Sequence, residues 1–368
     1  MRTEAMNIVA DENIPLLDET FGRHGEVRRL RGRAISRSDL EDTDVLLVRS
    51  VTRVGPSLLE GTAVRFVGSA TIGVDHLDTD WLEMQGIAWA HAPGCNADAA
   101  SQYALAMMWL ACNRLGKRFR DQQVGIIGRG NVGGRLQRLL AALGVAVAAC
   151  DPPLRDAGRR GLVDMERACD GDIISLHVPL TDSGPYPTRR LFGPARLERL
   201  RRGALLVNTS RGGVVDAPAL LGCLRGGRLH AALDVWPDEP LIATELLEAV
   251  CVGTPHVAGY SIEGKQSGTR MIYDSFCGAF SLVAAPPPAQ ALDGAAGPAH
   301  ESLEQAVMAS CPVARDDAAL RAELARDTGG PVNIDPLRAA YPPRREFSAC
   351  RVAADADGQA AALGFQVG

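Results

Sequence analysis

Lysine is nearly absent from this 368-residue chain. Lys117 and Lys265 are the only two, so 39 − 2 = 37 of the basic residues are arginine. Such a bias fits a GC-rich genome, and the count by itself implies no anion site. Excess positive charge is absent too. With 39 basic and 44 acidic side chains spread along the chain, the net charge of −5 gives no footprint for nucleic acid or an anionic membrane. The longest apolar run, near Tyr103–Cys112, is too short to span a bilayer and reads as a buried helix. The amino terminus lacks a signal-peptide pattern, because Met1–Ala5 is polar and Ile8–Ala10 runs straight into Asp11-Glu12-Asn13. Met6 reads as a natural beginning, with the first five residues as an extension. No C-x-x-C pair occurs. Nine scattered cysteines, an odd number, read as reduced core residues of a cytoplasmic protein with no metal site.

What is present is ordinary globular material, 46% hydrophobic and 23% charged, long enough for two or three domains with real cores. Strands are expected at Asn7–Ala10, Asp44–Val48, Val64–Val67 and Gly86–Trp89, with amphipathic segments or turns between them. A mostly apolar helix follows from Ala97 to Arg114, with Asn96 as its N-cap. A second series begins at Gln123, with strands at Val124–Ile127, Val145–Ala149, Asp172–Leu176, Ala204–Val207, His230–Leu233 and Cys251–Val252. Repeated βα units fold as a parallel sheet covered by helices, so the class is α/β. Ala284-Ala285-Pro286-Pro287-Pro288, with Gly294 and Gly297-Pro298, reads as a linker to a smaller α+β unit.

The sharpest local signal is Val124-Gly125-Ile126-Ile127-Gly128-Arg129-Gly130-Asn131-Val132-Gly133, a strand followed by G-x-G-x-x-G. Gly128 permits the tight turn, Gly130 lets the backbone approach a pyrophosphate, and Gly133 lets helix and strand pack closely. The helix from Asn131 presents its N–H groups and positive end to the phosphates. Asp151, 23 residues after Gly128, ends the next strand, where its carboxylate suits ribose hydroxyls and repels a 2′-phosphate. The cofactor expected is NAD, with NADP kept open by Arg155, Arg159 and Arg160.

Three polar segments follow at strand ends: Asn208-Thr209-Ser210-Arg211-Gly212-Gly213, Asp234-Val235-Trp236-Pro237-Asp238-Glu239-Pro240 and Pro255-His256-Val257-Ala258-Gly259-Tyr260. Ligands bind beyond the carboxyl ends of strands in open α/β sheets. Oxidation of a secondary alcohol needs a base for the hydroxyl proton, which a histidine supplies. It needs a carboxylate to steady the imidazole, and a guanidinium grips a substrate carboxylate through two bonds. His76, His91 and His177 are rival histidines near strand ends or turns.

Together, Gly128–Gly133, Asn208–Gly213, Asp234–Pro240 and Pro255–Ala258 resemble the signatures of the D-isomer-specific 2-hydroxyacid dehydrogenases. The resemblance implies a Rossmann-type NAD domain inserted in a flavodoxin-like substrate domain, with Arg211, Glu239 and His256 as the catalytic residues. A narrower likeness, to a branch that acts on 4-phospho-D-erythronate, is carried by Val9–Pro15, Val48–Thr52, Ala92–Ala97, Cys150–Pro153, Asp182–Tyr186 and His256–Lys265. Arg315–Arg321 and Arg344–Ser348 extend it to the C-terminal part. It implies oxidation of that phosphorylated 2-hydroxy acid by NAD, toward pyridoxal 5′-phosphate. The implied domains are 1–96 with 262–285 for substrate, 97–261 for NAD, and a small α+β domain over 286–368 that makes a homodimer. Arg49, Ser50, Thr71 and Tyr260 are the implied substrate contacts. Asn131, Val132, Asp151, Val178, Asp234, Gly259 and the Thr209-Ser210-Arg211 loop join the three glycines as NAD contacts. Val178 replaces a threonine, Gln102 a glutamate and Arg53 a lysine common in these relatives. Other readings are a phosphoglycerate or general D-2-hydroxyacid dehydrogenase, an NAD-sensing regulatory protein, and a small-molecule regulatory module in the C-terminal part.

Overall fold

The computed structural model describes residues 5–286, 299–326, 330–353, 355 and 357–368. The chain forms two compact units. One takes the residues up to Asn96 and Ser261–Ala295, the other Ala97–Tyr260 and Ala296–Gly368. The first four residues and most of the expected linker, Pro287 to Pro298, lie outside the described residues.

In the first unit β1 (Met6–Asp11), β2 (Gly25–Leu30), β3 (Val45–Val48), β4 (Phe66–Ser69) and β5 (Ala88–His91) form one sheet in the order β2-β1-β3-β4-β5. Every pairing is parallel, the doubly wound order of flavodoxin-like folds. Strands covered on both faces must be apolar on both, and Val45-Leu46-Leu47-Val48 is wholly buried. β2 was not expected. It is an edge strand carrying Glu26, Arg28 and Arg29, and only its backbone register with β1 over six residues makes it a strand. β4 and β5 each start two residues after the expected Val64 and Gly86. The returning helix Ile262–Ala279 closes the unit with Ile272, Tyr273 and Phe276. Phe21 meets Tyr273 at 5.3 Å and Phe276 at 5.1 Å between ring centroids. Each buried side chain of that size contributes about 1.5–3 kcal/mol.

In the second unit the strands are β6 (Gln123–Ile127), β7 (Ala146–Cys150), β8 (Ile173–Leu176), β9 (Leu205–Asn208), β10 (His230–Leu233), β11 (Leu241–Ile242) and β12 (Val252–Gly253). All but β11 form a six-stranded parallel sheet, β12-β10-β9-β8-β6-β7. The chain goes outward from β6 to β7 and then returns to β8 on the other side of β6. That reversal is the switch point beside which such sheets bind ligands.

The helix Ala97–Arg114 spans the expected residues, and from Ala97 to Trp109 every residue except Asp98 is buried. A helix apolar all round must be covered all round. The C-terminal residues supply part of the cover: Ala306, Val307, Cys311, Val313, Phe347 and Phe365 share its core. They belong to helices Leu303–Ser310 and Val313–Arg326 and to the short elements near the end. β13 (Val332–Asn333) pairs antiparallel with β11, and β14 (Arg351–Val352) pairs in parallel with β15 (Gln366–Val367). The C-terminal residues therefore share a core with the sheet rather than standing apart from it.

Candidate active site

The glycine turn follows β6 at the switch point. Gly128 has φ +91°, and a Cβ there would stand 2.5 Å from His177 O and 2.9 Å from Val178 Cγ1. A Cβ on Gly133 would stand 1.9 Å from Gly128 O, whereas one on Gly130 would meet no protein atom within 4 Å. Gly128 and Gly133 are therefore required by the fold itself. Gly130 leaves open space at the start of the helix Asn131–Ala142, where Asn131 and Val132 carry free-end N–H groups. Asp151 Oδ2 accepts the Arg129 N–H at 2.7 Å and Oδ1 accepts that of Leu154 at 3.1 Å. One carboxylate thus ties the glycine turn to the end of β7.

Two buried polar atoms beside this edge have no hydrogen-bond partner, Thr209 Oγ1 after β9 and His177 Nδ1 after β8. An orphaned buried hydroxyl is costly unless a ligand satisfies it. With the open space at Gly130, it shows that the site fits a dinucleotide. Val178 carries no polar side-chain atom, so a contact there uses its backbone or its methyl groups.

The three strand-end segments come together. A Cβ on Gly212 would stand 2.0 Å from Trp236 O, so the loop bearing Thr209, Ser210 and Arg211 lies against the turn bearing Glu239. Asn208 shapes that loop, accepting from Ser210 N at 3.0 Å and Ser210 Oγ at 2.8 Å and donating to Arg211 O at 2.9 Å. Trp236 Nε1 donates to Thr254 O at 2.9 Å, joining the second segment to the third.

His256 Nδ1 meets Glu239 Oε2 at 2.6 Å, and Glu239 Oε1 accepts the Trp236 N–H at 2.9 Å. Burial, the largest influence on Glu239, favours its neutral form. The His256 charge and hydrogen bond, the Trp236 N–H and then Arg338 outweigh it, and the carboxyl is held below its ordinary value. His256 has φ +56°, a left-handed conformation that costs a non-glycine residue about 1–3 kcal/mol. Asp234 sustains it. Its fully buried carboxylate accepts from Thr254 Oγ1 at 2.7 Å, Val257 N at 2.9 Å and Ala258 N at 3.0 Å. Expected as a cofactor contact, Asp234 also holds the turn that presents His256. Gly259 and Tyr260 complete that turn, with Tyr260 N donating to Val257 O at 2.8 Å.

The rival histidines have other neighbours. His177 Nε2 meets Ser175 Oγ at 2.8 Å, and burial pushes its pKa down to about 3, so it stays neutral. In the first unit His76 Nε2 meets Ser69 Oγ at 2.9 Å and His91 Nδ1 meets Ile72 O at 2.9 Å. That unit also holds Arg49, Ser50 and Thr71. Arg49 Nε donates to the buried Asp11 at 3.2 Å, and Lys265 is close enough to feel its charge. Ser50 and Arg53 are exposed. Thr71 Oγ1 lies 2.8 Å from Ser69 Oγ and donates to Gly73 O at 3.2 Å. Gln102 Oε1 accepts the Phe347 N–H at 3.1 Å, fixing the long helix to the C-terminal segment. Thr254 and Trp236 carry no local mark in the sequence, because each acts on a segment about twenty positions away, Thr254 on the Asp234 carboxylate and Trp236 on Thr254 O.

Residues 92–258 match the NAD-binding domain of the D-isomer-specific 2-hydroxyacid dehydrogenases, and residues 284–366 match a domain of unknown function. The chain is 47% identical over 362 residues to the erythronate-4-phosphate dehydrogenase of Azotobacter vinelandii, covering 94% of each chain. The chain belongs to the D-isomer-specific 2-hydroxyacid dehydrogenase family. The erythronate-4-phosphate dehydrogenase of Pseudomonas syringae is 44% identical over 370 residues, with 97% of each chain covered. Among solved structures, a Thermus thermophilus protein aligns at TM-score 0.66 and 25% identity, over 77% of this chain and 99% of its own. The NAD+-bound 3-phosphoglycerate dehydrogenase of Entamoeba histolytica aligns at TM-score 0.66 and 21% identity, over 76% and 96%. At that identity the second likeness speaks for the fold. As a family member the chain is an NAD-dependent 2-hydroxyacid dehydrogenase. No described helix is long and apolar enough to cross a membrane, and no cluster of three or more metal-ligating residues occurs among the described residues.

Proposed function

We propose that the protein oxidises 4-phospho-D-erythronate to (R)-3-hydroxy-2-oxo-4-phosphobutanoate with NAD, a step toward pyridoxal 5′-phosphate. The observation that carries the reading is the 2.6 Å pairing of His256 Nδ1 with Glu239, set beside a strand-end arginine loop and a dinucleotide turn. Relatives at 44–47% identity that carry this activity in their names supply the substrate.

In this reading Gly128, Gly130 and Gly133, with Asn131, Val132, Asp151, Val178, Asp234, Gly259 and the Thr209–Arg211 loop, hold the cofactor. NAD held there supplies the acceptor for the hydride that leaves C2. Arg211 grips the substrate carboxylate through its planar fork. His256 Nε2 takes the C2 hydroxyl proton, and the charge that forms on the imidazole is balanced by the ionised Glu239. Arg49, Ser50, Thr71 and Tyr260 bind the rest of the substrate, with Arg49 and Ser50 at its phosphate.

We also assign three roles along the chain: substrate binding to 1–96 and 262–285, NAD binding to 97–261 and homodimerisation to 286–368. Nine free thiols support a reducing, cytoplasmic setting. Turnover of 4-phospho-D-erythronate, 3-phosphoglycerate and D-lactate with NAD is the test. Preference for the first bears out the proposal, preference for either of the others replaces it with another D-2-hydroxyacid dehydrogenase, and NADH binding without turnover makes the chain an NAD sensor.

A further inference from the structure

The segment Val252–Tyr260 carries His256 and Tyr260, and residues far along the same chain hold it from both ends. At its start the Gly253 N–H donates to Asp317 Oδ1 at 2.7 Å. Asp317 is buried and also receives Arg321 Nε at 3.0 Å and Arg114 Nη1 at 2.8 Å, so its position is fixed. At the other end Arg344 donates from Nη2 to Ala258 O at 2.6 Å and from Nε to Tyr260 O at 2.9 Å. The Arg344 guanidinium is buried over the Tyr103 ring, 5.2 Å from its centroid. The side chain of Tyr260 is bounded as well. Tyr341 meets its ring edge-on at 5.7 Å, and the Arg338 guanidinium stands 5.8 Å from the ring centroid.

Arg338 is unusual among the arginines. Its side chain is only 10% exposed, Asp335 lies 3.7 Å from Nη1, and Nε is buried with no hydrogen-bond partner. Keeping an N–H of a cation from water and from protein is costly, and packing alone does not require a charged residue here. Its guanidinium hydrogen-bonds the Tyr260 side chain, and its charge favours the ionised form of Glu239.

We propose that Arg338 and Arg344 are positioning residues for the His256–Tyr260 turn. Arg344 fixes the turn's backbone, while Arg338 fixes the Tyr260 ring and supports the ionised Glu239. Residues 335–344, inside the stretch that matches a domain of unknown function, thereby complete the active site of their own subunit in addition to any role between subunits. The inference rests on the reading of His256 as the base and Tyr260 as a substrate contact.

The test uses the full chain with Arg338→Met, Arg338→Lys and, where the methionine variant does not fold, Arg344→Lys. In Arg338→Met, kcat on 4-phospho-D-erythronate is expected to fall roughly tenfold to a hundredfold, the effect of a small misplacement of reacting groups. KM for NAD, NADH affinity and the sedimentation coefficient stay within about twofold, because Arg338 touches none of the residues assigned to the cofactor. Arg338→Lys restores part of kcat, since it returns the charge without the planar face. Folded Arg338→Met with wild-type kcat overturns the proposal, as does a loss of rate matched by an equal loss of NADH affinity. Hydrogen exchange supplies a reading that needs no substrate. Amides of Val257–Tyr260 are expected to exchange about tenfold faster in the variants while those of β6–β10 do not change. Unchanged exchange in that turn overturns the proposal even if the wild-type chain turns over no hydroxy acid, a result that sinks the substrate reading alone.

Discussion

Glu239 gives one carboxylate oxygen to His256 Nδ1 at 2.6 Å and the other to the Trp236 N–H at 2.9 Å. The group that orients the imidazole is thus itself fixed by backbone, which holds the ring with Nε2 on the side away from Glu239, the nitrogen that the proposed mechanism gives to the substrate. His256→Asn is expected to lower kcat for NADH formation by about 10²–10⁴, the usual worth of a positioned base. Glu239→Gln keeps the shape and loses the balancing charge, so it lowers kcat with little change in KM for NAD. NADH fluorescence titrations are expected to show unchanged cofactor affinity in both. Wild-type turnover by His256→Asn would remove His256 from the mechanism.

The same carboxylate makes stability depend on pH. Its folded pKa lies below the ordinary 4.5, so the unfolded chain binds the proton more readily. The contribution is present above about pH 4.5 and is lost as pH falls through the lower folded value. Denaturant titrations at several pH values should therefore show wild type losing stability in this acid window faster than Glu239→Gln. Parallel losses would refute the linkage.

Gly130 and Gly133 separate cofactor binding from folding. A methyl group at Gly130 meets no protein atom within 4 Å, while one at Gly133 would stand 1.9 Å from Gly128 O. Gly130→Ala is expected to melt close to wild type and to bind NADH at least tenfold more weakly, because the methyl group occupies space meant for the pyrophosphate. Gly133→Ala instead loses about 1–3 kcal/mol of stability through overpacking. Thermal melts paired with NADH titration distinguish the two, and equal melting losses would refute the contrast.

Asp151 bridges Arg129 N and Leu154 N, so removing it altogether would confuse capping with recognition. Asp151→Ser keeps a capping oxygen and removes the charge. The ratio of kcat/KM for NAD over NADP is expected to fall by about tenfold or more, the worth of one charge-assisted contact of ~1.5 kcal/mol. An unchanged ratio would place cofactor choice elsewhere, with Arg155, Arg159 and Arg160 as the residues to examine.

Wherever burial and sequence pattern agree, the fold could be read in advance. The helix Ala97–Arg114 and the strand His230–Leu233 fall on the expected residues, because apolar runs of those lengths have one way to be buried. β2 escaped notice because an edge strand bearing Glu26, Arg28 and Arg29 looks like a surface loop until β1 lies beside it. The pairing of His256 with Glu239 was legible through resemblance and strand-end logic. Arg338 and Arg344 were not: in a chain with 39 basic residues nothing local marks the two that reach back to Tyr260. Contacts that join residues about eighty positions apart have no period for the eye to find.

The scarcity of lysine has a practical side. Lys117, in the second unit, gives its Nζ to Gly203 O at 2.7 Å. Lys265, in the first, lies on the helix Ile262–Ala279, where burial and then the Arg49 charge hold its pKa below the usual 10.5. Each compact unit therefore carries a single side-chain amine. Apart from the terminal α-amine, an amine-directed isotopic tag or cross-linker reports on the two units through two side-chain addresses, and the Lys265 address lies beside the arginine assigned to the substrate phosphate. Labelling rates at that one amine, read by mass spectrometry with and without a phosphorylated hydroxy acid, follow occupancy of the first unit in the unmodified sequence.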